Sequence, residues 1–518
     1  MKLNYKKTLL VGFAFFLISA FWMAYDTVIP LILTDKFGLP QSVSGLIMAL
    51  DNILALFLLP LFGAFSDKSK SRFGRRTPFI FVGTLIACVF VMGVSFADNM
   101  QLANLKDISA MDESAMEILY EANPKIPQKD SLEKIRLQEA VSREDFLALT
   151  GVKDEEKTAD MTVEEEKALE ARQERYAEIV INARRAYAAQ VTTGSPVALI
   201  CFIGFLLILL VSMSTFRSPA VALMPDVTPK PLRSKANAVI NLMGSFGGIA
   251  ILVLGVIFGT SKVKNMMMSY TAFFGIVAII MIVALVLFCL FVRERKWAAE
   301  MKAQSEAYGV EEKEDDGSGD RRLSRGELVS LILILSSVVL WFMGYNAVVS
   351  KFSVYSTSVL VDLDFNTSLI IAQAAAIFSY IPVGIIASKV GRKKCILVGV
   401  VMLAVSFFGA GFLKAGSSPV LVNGLFAVAG IGWATINVNS YPMVVELSKG
   451  SNVGKYTGFY YTASMLAQAI TPVISGFFMD IKMESLFVYA TVMVFAAFFT
   501  MIAVKHGDSK PLEKSEAK

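Results

Sequence analysis

The chain has 518 residues, 55% of them hydrophobic and 18% charged, with a mean hydropathy of +0.58 and a formal net charge of +5. A soluble domain has no use for so much apolar material. Apolar runs of about 20 residues are what a bilayer core about 30 Å thick requires, and this chain holds twelve such runs.

The cysteines, Cys88, Cys201, Cys289 and Cys395, fall in or at the end of apolar runs and read as small apolar residues, not as a disulfide set or metal site. The single histidine, His506, stands in the C-terminal tail, so any coupling chemistry inside a membrane falls to carboxylates. No nucleotide-binding motif, catalytic triad or metal-ligand cluster is visible. An enzyme or an ATP-driven pump is therefore not expected, nor is a cofactor or a nucleic-acid partner.

Run 1 covers 9–33. It follows Lys2, Lys6 and Lys7 as a signal peptide would, but continues past Asp26 with no small-residue cleavage site, and reads as a retained span. Runs 2 and 3 cover 43–65 and 79–96. Residues 99–193 are polar, with 13 Lys and Arg against 20 Asp and Glu. Within them Leu169, Tyr176, Val180, Ala183 and Tyr187 recur at helical spacing. With the N-terminus inside, this insert lies outside the cell, since long loops cross a membrane largely regardless of charge. Run 4 begins near 197, is interrupted by Arg217 and extends toward Pro225; runs 5 and 6 cover 236–259 and 272–292. A charged linker precedes runs 7 to 12, at 327–351, 367–388, 395–413, 419–441, 456–479 and 486–504. The chain thus divides into 1–98 (spans 1 to 3), 99–193 (insert), 194–292 (spans 4 to 6), 293–326 (cytoplasmic linker), 327–504 (spans 7 to 12) and 505–518 (cytoplasmic tail). A multi-pass protein of the cell membrane with both termini cytoplasmic is the expected arrangement.

The loop between runs 2 and 3 carries Lys68, Lys70, Arg72, Arg75 and Arg76, which marks it as cytoplasmic. It also holds Gly63-x-x-x-Asp67 followed by Gly74-Arg75-Arg76. This pattern resembles the signature between helices 2 and 3 of the major facilitator superfamily. Its long form, with Asp67 and Gly74 seven residues apart, resembles the sucrose–proton and glycoside–pentoside–hexuronide:cation symporters. The pattern returns as Gly384-x-x-x-Ser388 and Gly391-Arg392-Lys393-Lys394. A second pair runs from Met224 and from Val444, with Asp226 and Glu446 in matching places. The two pairs are 321 and 220 residues apart, and an insertion the size of 99–193 reconciles the offsets. The resemblance implies an all-helical fold of two six-helix halves related as parallel repeats, with the binding site between them near the midplane.

Charges inside apolar runs are the informative residues, because a carboxylate at the bilayer centre costs at least about 2.5–3.5 kcal/mol. Asp26 and Asp51 each lie about 11–12 Å from the outer ends of spans 1 and 2, and two carboxylates at one depth can bind a cation or share a proton. Asp26 falls where melibiose-type carriers, which it resembles, place cation- or sugar-binding acids. It is the foremost candidate for coupling and Asp51 its helper. The plainer readings are a hydrogen-bond anchor for Asp26 and an interhelical contact shared with Asn52 for Asp51. Arg217 is similar to an arginine in span 4 of sucrose symporters. It reads as a substrate ligand, a counter-charge, or a side chain reaching for the interface. Sugar carriers combine aromatic platforms with amides, and the candidates here are Trp22, Tyr25, Trp341, Tyr345, Asn346, Gln373 and Asn437. At the cytoplasmic gate the candidates are Gly63, Asp67, Arg72, Gly74, Arg75, Arg76, Asp226, Gly384, Gly391, Arg392 and Glu446, with charge pairs expected between the halves. The expected function is symport of a sugar or glycoside coupled to protons or sodium. The alternatives are export or flipping of a drug or lipid, or a sensor acting through its insert on an unknown partner.

Overall fold

The computed structural model describes residues 3–110, 112–128, 133–155, 161–229, 232–307, 323–361, 363–447 and 453–508. Among them are twelve helices long and apolar enough to cross a membrane. Spans 1 to 6 are Tyr5–Lys36, Gln41–Lys68, Thr77–Asn104, Val197–Val227, Val239–Phe258 and Thr271–Phe291. Spans 7 to 12 are Arg325–Leu360, Phe365–Ala387, Arg392–Ala410, Pro419–Glu446, Gly458–Ile481 and Ser485–Ile502. Buried apolar side chains form one core for spans 1 to 6 and another for spans 7 to 12, so the chain is two helical halves.

Two spans outrun their apolar stretches for one reason. Span 1 ends in a π-helical turn, Ile32–Lys36, and span 3 continues to Asn104. The Lys36 ammonium reaches both Asp98 carboxylate oxygens at 2.6 and 2.8 Å, donates to the Met268 carbonyl, and lies 4.4 Å from the Tyr270 ring centroid. Lys36 and Asp98 are fully buried. Paired charges can enter a helical core that single charges cannot.

Between spans 3 and 4 lies a small folded unit. It comprises the short helices Lys106–Ser109, Glu113–Ala122, Leu137–Ala140 and Arg143–Leu147, and a two-stranded antiparallel ribbon pairing Lys125–Pro127 with Lys134–Arg136. A longer helix runs through Val163–Tyr176 and Asn182–Gly194 with a π-helical turn between them. Leu169, Tyr176, Val180 and Ala183 bury one face of it as their spacing predicts, while Tyr187 is half-buried. After span 6 the chain forms the helix Glu294–Ala307. Lys7 hydrogen-bonds Glu300 on this helix and holds its carboxyl below the usual range.

The loops 68–76 and 389–394 share one end of the molecule, the basic end, and the insert stands at the other. At the insert end the halves meet closely. A Cβ at Gly45 would lie 1.9 Å from the Pro472 carbonyl oxygen, and one at Gly476 would lie 2.3 Å from that of Gln41. Asp480 accepts from the Gln41 and Ser42 backbone amides at the start of span 2, at 2.5 and 2.9 Å. Lys351 donates to the Gln41 carbonyl at 2.8 Å. Ser261 bonds Asp364, and Asn366 bonds Thr260. The molecule is therefore closed at the insert end.

Candidate functional site

Spans 1, 2 and 4 bring four of the expected residues together. Trp22 and Asp26 are one helical turn apart on span 1 and so share a face. The Arg217 guanidinium lies over the Trp22 ring, 5.2 Å from its centroid. Asp26, Asp51 and Arg217 interact electrostatically with one another. Both carboxylates are half-buried, and among the described residues neither has a hydrogen-bond or ion-pair partner. Tyr25 is buried, stacks edge-on against Trp22 at 5.3 Å, and donates to the Met48 carbonyl on span 2 at 3.3 Å.

The second half supplies the facing wall. Tyr345 on span 7 lies within electrostatic reach of Asp26 and stacks flat on Trp433 of span 10, with centroids 3.7 Å apart and planes at 2°. Asn346 follows it on span 7. Gln373 on span 8 crosses to span 5, where a Cβ at Gly248 would stand 3.1 Å from its amide nitrogen. Asn437 is exposed although it sits well inside span 10, and its side chain lies near Tyr380 of span 8. Trp22 Nε1, Asn346 Nδ2 and Gln373 Oε1 are buried polar atoms without a partner. Buried polar groups are ordinarily satisfied; these three are open to a hydrogen-bonding guest, and Trp341 Nε1 in the core of the second half is open as well. Trp341 lies elsewhere, fully buried in the core of the second half. Trp433 and Tyr380 were not apparent as site residues from the sequence, because an aromatic side chain in an apolar run carries no mark that separates lining from packing.

The basic end repeats one device in each half. In the first half, Glu294 accepts from the Arg75, Arg76 and Thr77 amides at 2.6, 2.9 and 2.8 Å, capping span 3. Gly74 has φ +127°, and a Cβ on it would meet this carboxylate at 2.1 Å, so only glycine fits. Arg76, buried, pairs with Asp67 and with Asp226, the latter at 2.8 Å, and Arg75 reaches Asp226 at 3.2 Å. Gly63 lets span 2 approach Ser218 of span 4. In the second half, Asp508 accepts from the Arg392 and Lys393 amides at 2.7 and 3.3 Å and lies against Gly391, φ +102°. Arg392 pairs with Glu446 at 3.1 Å. Asp226 and Glu446 thus do the same work in the two halves. The charge pairs expected between the halves form inside each half in this conformation. Arg72 is exposed and lies over Phe73, nothing packs within 4 Å of a Cβ built on Gly384, and the side chain of Ser388 lies outside the described residues. Glu294 and Asp508 escaped sequence reading because each caps a helix distant in sequence.

A profile described as Major Facilitator Superfamily matches residues 183–434 and 362–518, and one described as MFS/sugar transport protein matches 10–111. The chain belongs to the major facilitator superfamily. Its members are transporters, not enzymes, and this chain is a multi-pass membrane protein of that kind. The MFS/sugar transport protein profile covers the stretch that holds Asp26, Asp51 and the Gly63–Arg76 motif. A sucrose transport protein of Oryza sativa is 33% identical over 69 residues, 13% of this chain. The proton-associated sugar transporter A of Homo sapiens is 42% identical over 64 residues, 12% of this chain. The matched segments span only 14% and 8% of those two relatives. The inward-open xylose transporter of E. coli shares the fold, with a TM-score of 0.60 at 15% identity over 99% of this chain and 98% of that one.

Proposed function

We propose that this transporter is a symporter of a sugar or glycoside driven by protons or sodium. It works in the cell membrane with the basic end and both termini in the cytoplasm and the insert outside. The observation that carries the proposal is the cluster of Asp26, Asp51, Arg217 and Trp22 inside the first half, with Tyr345 of the second half within reach of Asp26. Two carboxylates and one guanidinium leave one surplus negative charge where an unbalanced charge is costly. One cation, a proton or a sodium ion, balances it, with Asp26 as the principal site and Asp51 as helper. No cofactor beyond that ion is needed. Arg217, Asn346, Gln373 and Asn437 then offer hydrogen bonds to sugar hydroxyls, and Trp22 and the Tyr345–Trp433 stack offer flat apolar faces to the ring.

Coupling follows from the charge. The halves rock about the midplane site, and closing both ends over an unbalanced carboxylate is unfavourable. Closing over bound sugar without the cation is therefore disfavoured relative to closing over sugar and cation together, and this difference is what couples the two fluxes in a symporter. The Arg76–Asp226 and Arg392–Glu446 pairs hold the basic end of each half rigid in the present state, which is closed at the insert end. The basic loops support a cytoplasmic placement of that end.

The test is uptake of labelled mono- and disaccharides into proteoliposomes under an inward proton gradient, an inward sodium gradient, or neither. Accumulation of one saccharide class under one gradient is the expected result. No saccharide moving under any gradient defeats the sugar reading and favours another solute.

A further inference from the structure

The insert grips both halves at once. On the first half, the turn after span 1 leaves no room for a side chain: a Cβ at Gly38, φ +65°, would stand 2.3 Å from the Arg185 carbonyl oxygen and from the Ala189 nitrogen. Asp35, buried at the end of span 1, holds the Arg185 guanidinium at 2.6 and 2.8 Å. Val263, Met266 and Met267, from the loop between spans 5 and 6, sit inside the insert's apolar core.

On the second half the same guanidinium donates to Ser358, at the end of span 7, at 3.0 Å. Val361, just beyond, is buried in the insert's core, and Ala415, between spans 9 and 10, packs against it. A Cβ at Gly416, φ +79°, would stand 2.3 Å from the Glu170 carboxyl carbon. Val361 itself has φ +33°. A β-branched residue seldom adopts such a backbone, and it persists only where the surroundings impose it.

The two attachments are unequal. Spans 3 and 4, which flank the insert, both belong to the first half, and Asp35 and the Gly38 turn bind it further to that half. Among the described contacts, the second half is held by the Arg185–Ser358 hydrogen bond, by Val361 and by the Ala415–Gly416 loop against Glu170. Any opening of the insert end must part the second set and can spare the first.

We propose that the insert is a strap: carried by the first half, it holds the second half at Ser358, Val361 and the Ala415–Gly416 loop while the insert end is closed, and releases it each time that end opens. The strap rests on the alternating-access reading above. It biases the resting equilibrium toward the state closed at the insert end, because an interaction made in one of two states shifts the population toward that state. Arg185 is a positioning residue in this scheme and touches no substrate.

The test uses full-length protein in lipid nanodiscs, with Cys201 and Cys289 replaced by serine and spin labels placed through Val43→Cys and Ser418→Cys, one on each half at the insert end. Ser358→Ala leaves the Asp35–Arg185 pair intact, so the insert keeps its fold. A hydrogen bond to a charged group is worth on the order of a tenfold ratio, and the long-distance population is expected to grow about tenfold over the parent in Ser358→Ala and in Arg185→Ala. Val361→Gly shifts it the same way, and Arg185→Lys returns it toward the parent. An unchanged distance distribution in all these variants, or a shift toward shorter distances, overturns the strap. A protein that shows the shift and moves no saccharide keeps the strap and loses the sugar reading. One that accumulates sugar with fixed distances keeps the sugar reading and loses the strap.

Discussion

The first half contains two kinds of acid within its spans. Asp98 is fully buried and fully answered: Lys36 bonds both its oxygens, and the Tyr270 amide adds a third contact at 3.4 Å. Asp26 and Asp51 are half-buried and unanswered by any hydrogen bond or ion pair, with the guanidinium of Arg217 the one cation acting on both among the described residues. A charge that is satisfied by the fold contributes to the fold. A charge that the fold brings into the membrane and leaves open is held for something that arrives and departs. This contrast, more than the presence of acids in apolar helices, is what separates the candidate site from the scaffold.

The contrast can be broken most forcefully at Asp98. Lys36→Met leaves a buried carboxylate without its partner and is expected to lower stability by about 3–5 kcal/mol; denaturant or thermal unfolding in detergent reads it. Changing both residues, Lys36→Met with Asp98→Leu, should recover most of that loss. Asp26→Asn should do the reverse: melting unchanged or raised, but gradient-driven accumulation reduced by at least about 100-fold, a difference of about 2.7 kcal/mol. Asp51→Asn, the helper, should reduce accumulation about tenfold, about 1.4 kcal/mol. The smallest effect is expected at Glu294, another acid that the fold satisfies. Glu294→Gln keeps the shape of the span 3 cap and removes its charge, and should cost about 1 kcal/mol of stability with substrate KM unmoved.

Much of this was legible in the chain. Twelve apolar runs announced twelve helices because a bilayer leaves few other solutions. Asp26, Asp51 and Arg217 stood out because nothing apolar explains them. The correspondence of Asp226 with Glu446 was visible as an offset in sequence and reappears as two equivalent arginine pairs. Asp35, Lys36 and Asp98 were not legible as buried residues, since a charge at the edge of an apolar run looks like the start of a loop until its partner, far along the chain, is known. Glu294 and Asp508 were hidden for the same reason. The expected cross-half pairing of Arg75 or Arg76 with Glu446 instead forms within each half, because Asp226 lies beside Arg76 and Arg392 beside Glu446. Trp341 and Tyr345 look alike in sequence, one turn apart on span 7. One fills the core and the other meets Trp433 at the site.

The most direct measurement compares two modes of transport by Asp26→Asn in proteoliposomes: accumulation against a gradient, and exchange of saccharide at equilibrium. An unpaired carboxylate that balances the coupling ion predicts that accumulation is lost and exchange is kept, since a neutral amide leaves the site permanently balanced. Accumulation equal to that of the unaltered protein would contradict the assignment of coupling to Asp26.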